Sequence, residues 1–343
     1  MEPARLLAIL GMSDAGKTTY LGRLWLGVHA QIGRLHAAGL PEVLRPLRDV
    51  SSYLLQGNYP PRTRRGEVTA FNVPLRWAGA KEALPFTLAF TDYSGEELER
   101  IFTQRDAGWT TAWQMRATGS LGLLLFLRPR DILKPTSARL IGPMEAAQWA
   151  HVRGEEPVPE PKKPRAAEDP AFLFDAAFAP QSSEELHRRP NPDQAVRPPT
   201  AVALVEVLQF LRQERRLLMG EAPDSNHFRV AVVVTCWDAI PRGVQDLGPE
   251  PFVKAHFPLL HDFLCSNFNS DGVRVFGLSS TGGDLADPVF LGQYEQIDPE
   301  LMGNVVYHPT PGGDPISDPD IALPIGWLLE GDDALPGPRT SSP

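Results

Sequence analysis

Short, strongly apolar runs recur along the chain, separated by stretches in which apolar residues return at helical spacing. The runs Arg5 to Leu10, Val68 to Trp77, Phe86 to Thr91, Leu121 to Leu127, Val230 to Thr235 and Val273 to Leu278 have strand length. Their alternation with helical stretches predicts an α/β fold in which one six-stranded sheet is covered by helices. Pro74 lacks a ladder donor, so the run that contains it belongs at the sheet edge. Helices are expected over Lys17 to about Ala37, Glu96 to about Ala117 with Trp109 and Trp113 on one face, and from Thr200, an N-cap, through Leu204, Val207, Leu208 and Leu211. Ile321 to Leu329 forms a last short helix with Gly331 as its stop. There is no internal repeat.

Composition changes this picture in two places. The chain of 343 residues carries 35 prolines, about twice the usual ~5%. They gather between Pro157 and Pro199 and again from Pro309 to Pro343, where missing donors and restricted neighbours predict irregular chain. The expected division is therefore residues 1–130 and 200–331 as two parts of one domain, 131–199 as a proline-rich insertion, and 332–343 as a tail. A net charge of −9 argues against general nucleic-acid binding. Two cysteines, Cys236 and Cys265, cannot build a disulfide framework or a four-cysteine zinc site and fit a reducing compartment. No apolar run reaches the roughly 20 residues of a membrane span. Leu6 to Leu10 runs into a glycine motif and not into a cleavage site. A cytoplasmic location is expected.

The chemistry concentrates at the carboxyl ends of the predicted strands. Gly11-Met12-Ser13-Asp14-Ala15-Gly16-Lys17-Thr18 has the spacing G-x-x-x-x-G-K-[ST], after a strand and before a helix. Glycines let such a backbone curl around phosphates with its N–H groups inward, and the helix start adds positive potential. Gly11, Ser13, Asp14, Ala15, Gly16, Lys17, Thr18 and Thr19 are candidate phosphate contacts. Lys17 is expected at the β- and γ-phosphates and the Thr18 hydroxyl at Mg²⁺. Asp92-Tyr93-Ser94-Gly95 follows the next apolar run; Asp92 can hold the Mg²⁺ shell, and Gly95 can bring a bare N–H to a γ-phosphate. By itself that segment is a weak signal and reads more readily as a strand-ending turn. Thr235-Cys236-Trp237-Asp238 and Gly277-Leu278-Ser279-Ser280 end two further strands, where α/β sheets bind ligands. Asp238 can accept from the N1 and exocyclic amine of guanine, while the Ser279 and Ser280 backbone can donate to its O6.

On these residues the chain resembles the Ras-like, TRAFAC-class phosphate-loop GTPases. More narrowly, Gly16-Lys17-Thr18-Thr19-Tyr20-Leu21 with Leu24-Trp25, Asp92-Tyr93-Ser94-Gly95-Glu96 and Trp237-Asp238 resemble the double-GTPase proteins of predicted bacterial conflict systems. The resemblance implies a three-layer fold with a six-stranded, mainly parallel sheet and one antiparallel edge strand. It also implies GTP or GDP with Mg²⁺, switch loops that report the γ-phosphate, and action as a molecular switch through effector or regulatory proteins. A second copy meeting the first through the nucleotide face is a further candidate partner.

The chain departs from the family pattern at three positions. Cys236 stands where a lysine usually packs along the base, which weakens the case for guanine against adenine. Glu96 stands where many relatives place a water-orienting glutamine, so slow hydrolysis is expected. Asp14 adds a negative group to the phosphate loop and either holds a cation or caps the turn. Between the first helix and the second strand, Thr63 in Pro60-Pro61-Arg62-Thr63-Arg64-Arg65 is the candidate switch ligand of Mg²⁺ and γ-phosphate, with a neighbouring arginine as an internal finger; a basic solvated loop is the other reading. The candidate catalytic group is thus Lys17, Thr63, Gly95 and Glu96, and the metal ligands are Thr18, Thr63 and Asp92. His256 and His261 lack metal-ligand spacing. Phe172, Phe174 and Phe178 form an aromatic patch that either docks a partner or folds back. Two other functions stay open: a nucleotide-binding scaffold with little turnover, and an ATPase using the same loop.

Overall fold

The computed structural model describes residues 5–41, 44–61, 68–78, 85–93, 119–129, 199–219, 228–310 and 312–335. These form a single nine-stranded sheet, not a six-stranded one. The strands are β1 (Arg5–Gly11), β2 (Leu35–Ala37), β3 (Val68–Trp77), β4 (Phe86–Tyr93), β5 (Gly122–Leu127), β6 (Arg229–Thr235), β7 (Val273–Ser279), β8 (Asn304–Tyr307) and β9 (Ile316–Asp318). Their order is β2-β3-β4-β1-β5-β6-β7-β8-β9. The central strands β4, β1, β5, β6 and β7 are parallel. Both flanks are antiparallel, which replaces the expected single antiparallel edge.

The three extra strands are too short for a period to register: β2 and β9 have three residues each and β8 has four. They exist because a neighbour supplies their hydrogen bonds. β3 is also not the outermost strand, as β2 covers it from Leu75 to Trp77. Pro74 stands where that outer pairing begins, and its carbonyl accepts from the Ala38 N–H at 2.9 Å. The missing proline donor is compatible with this position because β2 does not extend past it.

Helix α1 (Lys17–His29) is shorter than expected, and α2 (Arg45–Leu55) follows β2. Residues 28–32 close α1 with a Schellman pattern: Ile32 N–H donates to Gly27 and Gln31 N–H to Val28, with Gln31 left-handed at φ 59°. Glycine usually marks such a stop, so the sequence concealed it. The longer helices that remain among the described residues are α3 (Thr200–Met219), α4 (Pro249–His256), α5 (Pro258–Asn267), α6 (Pro288–Tyr294) and α7 (Leu323–Glu330), and a single turn over Arg242–Gln245 precedes α4. Gly331, at φ 77°, ends α7 as expected. Thr200 opens α3 as its first helical residue. The expected helix over 96–117 lies outside the described residues.

Two cores sandwich the sheet. Odd positions Leu7 and Ile9 of β1 join Leu124, Phe126, Ala231, Val233 and Phe276 beneath α1 and α7. Even positions Ala8 and Leu10 join Leu123, Leu125, Val230, Val232 and Val234 beneath α3, α4 and α5. Strands buried on both faces explain the unbroken runs GLLLFL and RVAVVVT. Each fully buried aliphatic side chain contributes roughly 1.5–3 kcal/mol, so burial on both faces holds the parallel strands firmly. Their carboxyl ends are fixed as a row. β5 and β6, which flank residues 131–198 in sequence, lie side by side in that row.

Candidate functional site

The candidate phosphate loop between β1 and α1 is shaped by close packing. β1 ends at Gly11, where an added Cβ would lie 2.8 Å from both Cβ and carbonyl oxygen of Phe126 on β5. Only glycine fits that approach. Met12 to Ala15 form a turn closed by Ala15 N–H to the Met12 carbonyl at 3.2 Å, with Asp14 left-handed at φ 64°. Gly16, at φ 83°, is the N-cap of α1 and offers no side-chain cap. The first N–H groups of α1 therefore have no acceptor within the helix, and the helix dipole adds to their pull on an anion. Lys17 is buried and folds back into the curl, donating to the carbonyls of Gly11 at 2.8 Å and Met12 at 3.1 Å. Ser13, Thr18 and Thr19 are partly exposed on the same turn, Asp14 is exposed and Ala15 is buried.

The neighbouring strand ends bring the other predicted groups into the row. Asp92 lies on β4 with its Cα paired to Ile9 of β1, next to the start of the loop. Thr235 is buried at the end of β6, where its hydroxyl donates to the Leu127 carbonyl of β5 at 3.1 Å. A Cβ on Gly16 would lie 3.4 Å from its methyl. Thr235 therefore fastens β6 to β5 and packs against the loop that opens α1.

Beyond it, Cys236 is left-handed at φ 51° and opens a short 3₁₀ turn that carries Trp237 and Asp238. Trp237 is buried edge-on to Phe252 and lies under Gly277, where a Cβ would meet the indole at 2.4 Å. This packing holds the β6 and β7 ends together. The Ser279 hydroxyl donates to the Asp238 carboxylate at 2.5 Å and accepts from the Gly282 N–H at 3.1 Å. Asp238 and Ser279, 41 positions apart in sequence, thus form one polar unit, with Ser280 adjoining it. Gly303 passes behind: a Cβ there would lie 2.8 Å from the Ser279 and Ser280 carbonyls.

Two contributors were not legible in the sequence. Arg128, just past β5, donates from Nη1 to the Asp14 carbonyl at 2.9 Å. Tyr59, after α2, donates to Asp284 at 3.0 Å and accepts from the Leu285 N–H at 3.1 Å. Burial, with Asp284 and Cys236 nearby, pushes its phenol up to about 12. It pins the chain leading toward Thr63 to the loop after β7. Neither residue belongs to a motif; the signal is spatial. Thr63 with its neighbouring arginines, Gly95, Glu96 and the aromatic patch at Phe172, Phe174 and Phe178 lie outside the described residues.

The remaining sequence candidates fall into packing. The His256 ring lies tilted against Phe252 with centroids 4.7 Å apart, and His261 faces Asp262 and Cys265 on α5. No group of three metal-ligating His, Cys, Asp or Glu residues occurs among the described residues. That is compatible with a cation held mainly by phosphate oxygens and water, which needs only one or two protein ligands. The hard oxygen donors of Thr18 and Asp92 suit Mg²⁺. No described helix is long and apolar enough to cross a membrane.

A mainly parallel α/β sheet with a phosphate loop between its first strand and first helix defines the class of phosphate-loop nucleotide-binding proteins. The chain belongs to the Double-GTPase 1 family, whose model matches residues 8–328. That match begins within β1, ends within α7 and crosses the segment between β5 and α3. Membership in this family implies GTP or GDP binding and GTP hydrolysis. A comparison with curated proteins gives no match.

Proposed function

We propose that this protein is a GTP-hydrolysing molecular switch. The observation that carries the proposal is the seating of Lys17 on the Gly11 and Met12 carbonyls, inside a glycine-built curl, in the same row of strand ends as the Asp238–Ser279 unit. When a triphosphate enters, its oxygens replace those two carbonyls as Lys17 acceptors. The loop N–H groups of Ser13 to Thr19 bind the remaining charge. Asp238 reads the N1 and amine edge of guanine, and Ser279 and Ser280 adjoin its O6. Thr18 and Asp92 would hold Mg²⁺, which supplies charge neutralisation on the β- and γ-phosphate oxygens when bound.

Hydrolysis transfers the γ-phosphoryl group to water and releases GDP and phosphate. Within this reading Gly95 donates to the γ-phosphate, Thr63 joins the Mg²⁺ shell, and Glu96 orients the water as an acceptor. A carboxylate facing a phosphate is a poor replacement for an amide, so unaided turnover is slow. Loss of the γ-phosphate releases the switch segments, and effector or regulatory proteins read that change; placement in a bacterial conflict system and pairing of two copies across the nucleotide face extend the same proposal.

Nucleotide identification in freshly purified protein, with and without Mg²⁺, tests the ligand. Turnover of radiolabelled GTP tests the reaction, and Lys17→Ala should abolish it. Tight binding without phosphate release would replace the enzyme by a nucleotide-stabilised scaffold. Cys236 favours a second reading, an ATPase, because no lysine packs along the base there. Equal competition by ATP, unchanged by Asp238→Ala, would establish that reading.

A further inference from the structure

The exposed Cys236 leaves the base side of the site without its usual cation, yet an arginine stands one strand away. Leu127 of β5 pairs with Val234 of β6, and Phe126 of β5 pairs with Gly11 of β1. Continuing both registers places Arg128 level with Thr235 on one side and with the phosphate loop on the other. The Thr235 hydroxyl, bonded to the Leu127 carbonyl, fixes the backbone from which Arg128 departs. Arg128 Nη1 reaches the Asp14 carbonyl at 2.9 Å. Its Nε is buried and has no hydrogen-bond partner among the described residues. The guanidinium therefore sits between the phosphate loop and the base loop with donor capacity to spare.

We propose that Arg128 is a positioning residue for nucleotide binding: it braces the phosphate loop through Asp14 and supplies, from β5, the positive charge that Cys236 does not. The proposal rests on the nucleotide-binding reading above. Asp14 occupies a left-handed conformation that costs a non-glycine residue energy. An acceptor bond to its carbonyl holds that peptide with the oxygen turned to Arg128, while the Ala15 N–H on the other side closes the turn to Met12. The curl that presents the remaining N–H groups is thereby kept in shape without ligand. The same guanidinium places a full charge beside the bound phosphates. Its bond is to the loop shared by diphosphate and triphosphate, so the effect should be equal for GDP and GTP.

Fluorescent GDP and GTP titrations of the full chain test this, alongside melting of the nucleotide-free protein. Arg128→Ala should weaken both nucleotides by a similar factor, roughly ten- to a hundred-fold, the usual worth of one charge-assisted hydrogen bond. The melting temperature of the nucleotide-free protein should hold. Arg128→Lys, or Cys236→Lys added to Arg128→Ala, should recover most of the loss, because either returns a cation to the same gap. Unchanged GDP affinity in Arg128→Ala overturns the proposal. So does a loss confined to GTP, which would make Arg128 a γ-phosphate contact. A fall in melting that neither lysine restores would reduce it to a structural residue and overturns it too. Wild-type protein that binds no guanine nucleotide would instead overturn the functional reading on which this rests.

Discussion

The proposed phosphate side and the proposed base side of the site are held by different means. At the phosphate side the backbone does most of the positioning: Gly11 fits against Phe126, Gly16 opens α1, and Lys17 bonds carbonyls five and six positions away. At the base side, side chains distant in sequence do it: Trp237 under Gly277, Ser279 on Asp238, and Tyr59 on the loop at Asp284. The first arrangement is set mainly by its own backbone and takes from distant residues only a close fit at Phe126 and Thr235 and the Arg128 bond to Asp14. The second exists only when β6 and β7 are in register and α2 has been brought across to them. Phosphate affinity and base choice should therefore fail separately.

The largest expected separation comes from Asp238→Ala. Sites that reject a purine through a buried hydrogen-bonding group can discriminate by factors of ~10⁴ or more, so removing the carboxylate should cut the GTP-over-ATP preference by at least ~100-fold. Triphosphate binding as such should persist, as competition binding with both nucleotides will show. If ATP and GTP affinities fall together, the two sides are not independent.

Gly11→Ala should do the reverse. Overpacking of this kind costs about 1–3 kcal/mol, here against a backbone carbonyl at 2.8 Å, and it should weaken GTP and ATP alike by roughly ten- to a hundred-fold. Calorimetric titration with each nucleotide reads this directly.

The third prediction concerns the tie between the switch approach and the base loops. Tyr59 and the buried Tyr307 both have phenols pushed up to about 12, mainly by burial, from the ordinary 10.0. The fold favours their neutral forms, so their contribution is complete below pH 10 and is lost as the pH rises toward 12. Melting temperature should fall steeply across that window. Tyr59→Phe should make the fall shallower while weakening the tie to Asp284 at neutral pH.

The smallest effect is a control at the far end of α1. Gln31→Gly relieves a left-handed residue at the Schellman stop and should stabilise the fold by about 0.5–1 kcal/mol, read by denaturant titration. Nucleotide affinity should not change. A changed affinity would mean that the strain at Gln31 reaches the phosphate loop through α1.

The contrast between the two sides also explains what could be read from the chain alone. The six long strands, α1 with the loop before it, α3 and α7 announce themselves through contiguous residues, because burial on both faces demands unbroken apolar runs and a phosphate curl demands glycine at set intervals. The candidate junctions at Asp92, Thr235, Asp238 and Ser279 are legible for the same reason: they stand where such runs stop. The role of Thr235 was not visible, since its bond goes to Leu127, 108 positions away.

The sequence by itself determined the parallel core, the phosphate loop and the strand ends that carry the candidate chemistry, since each depends on local backbone geometry or on a period within one segment. Tertiary structure alone decided the three short strands, the end of α1 at Gln31, the union of Asp238 with Ser279 and the arrival of Arg128 at Asp14. Each of these depends on hydrogen bonds or steric fit supplied by a different part of the chain, and that information is created only when the segments meet.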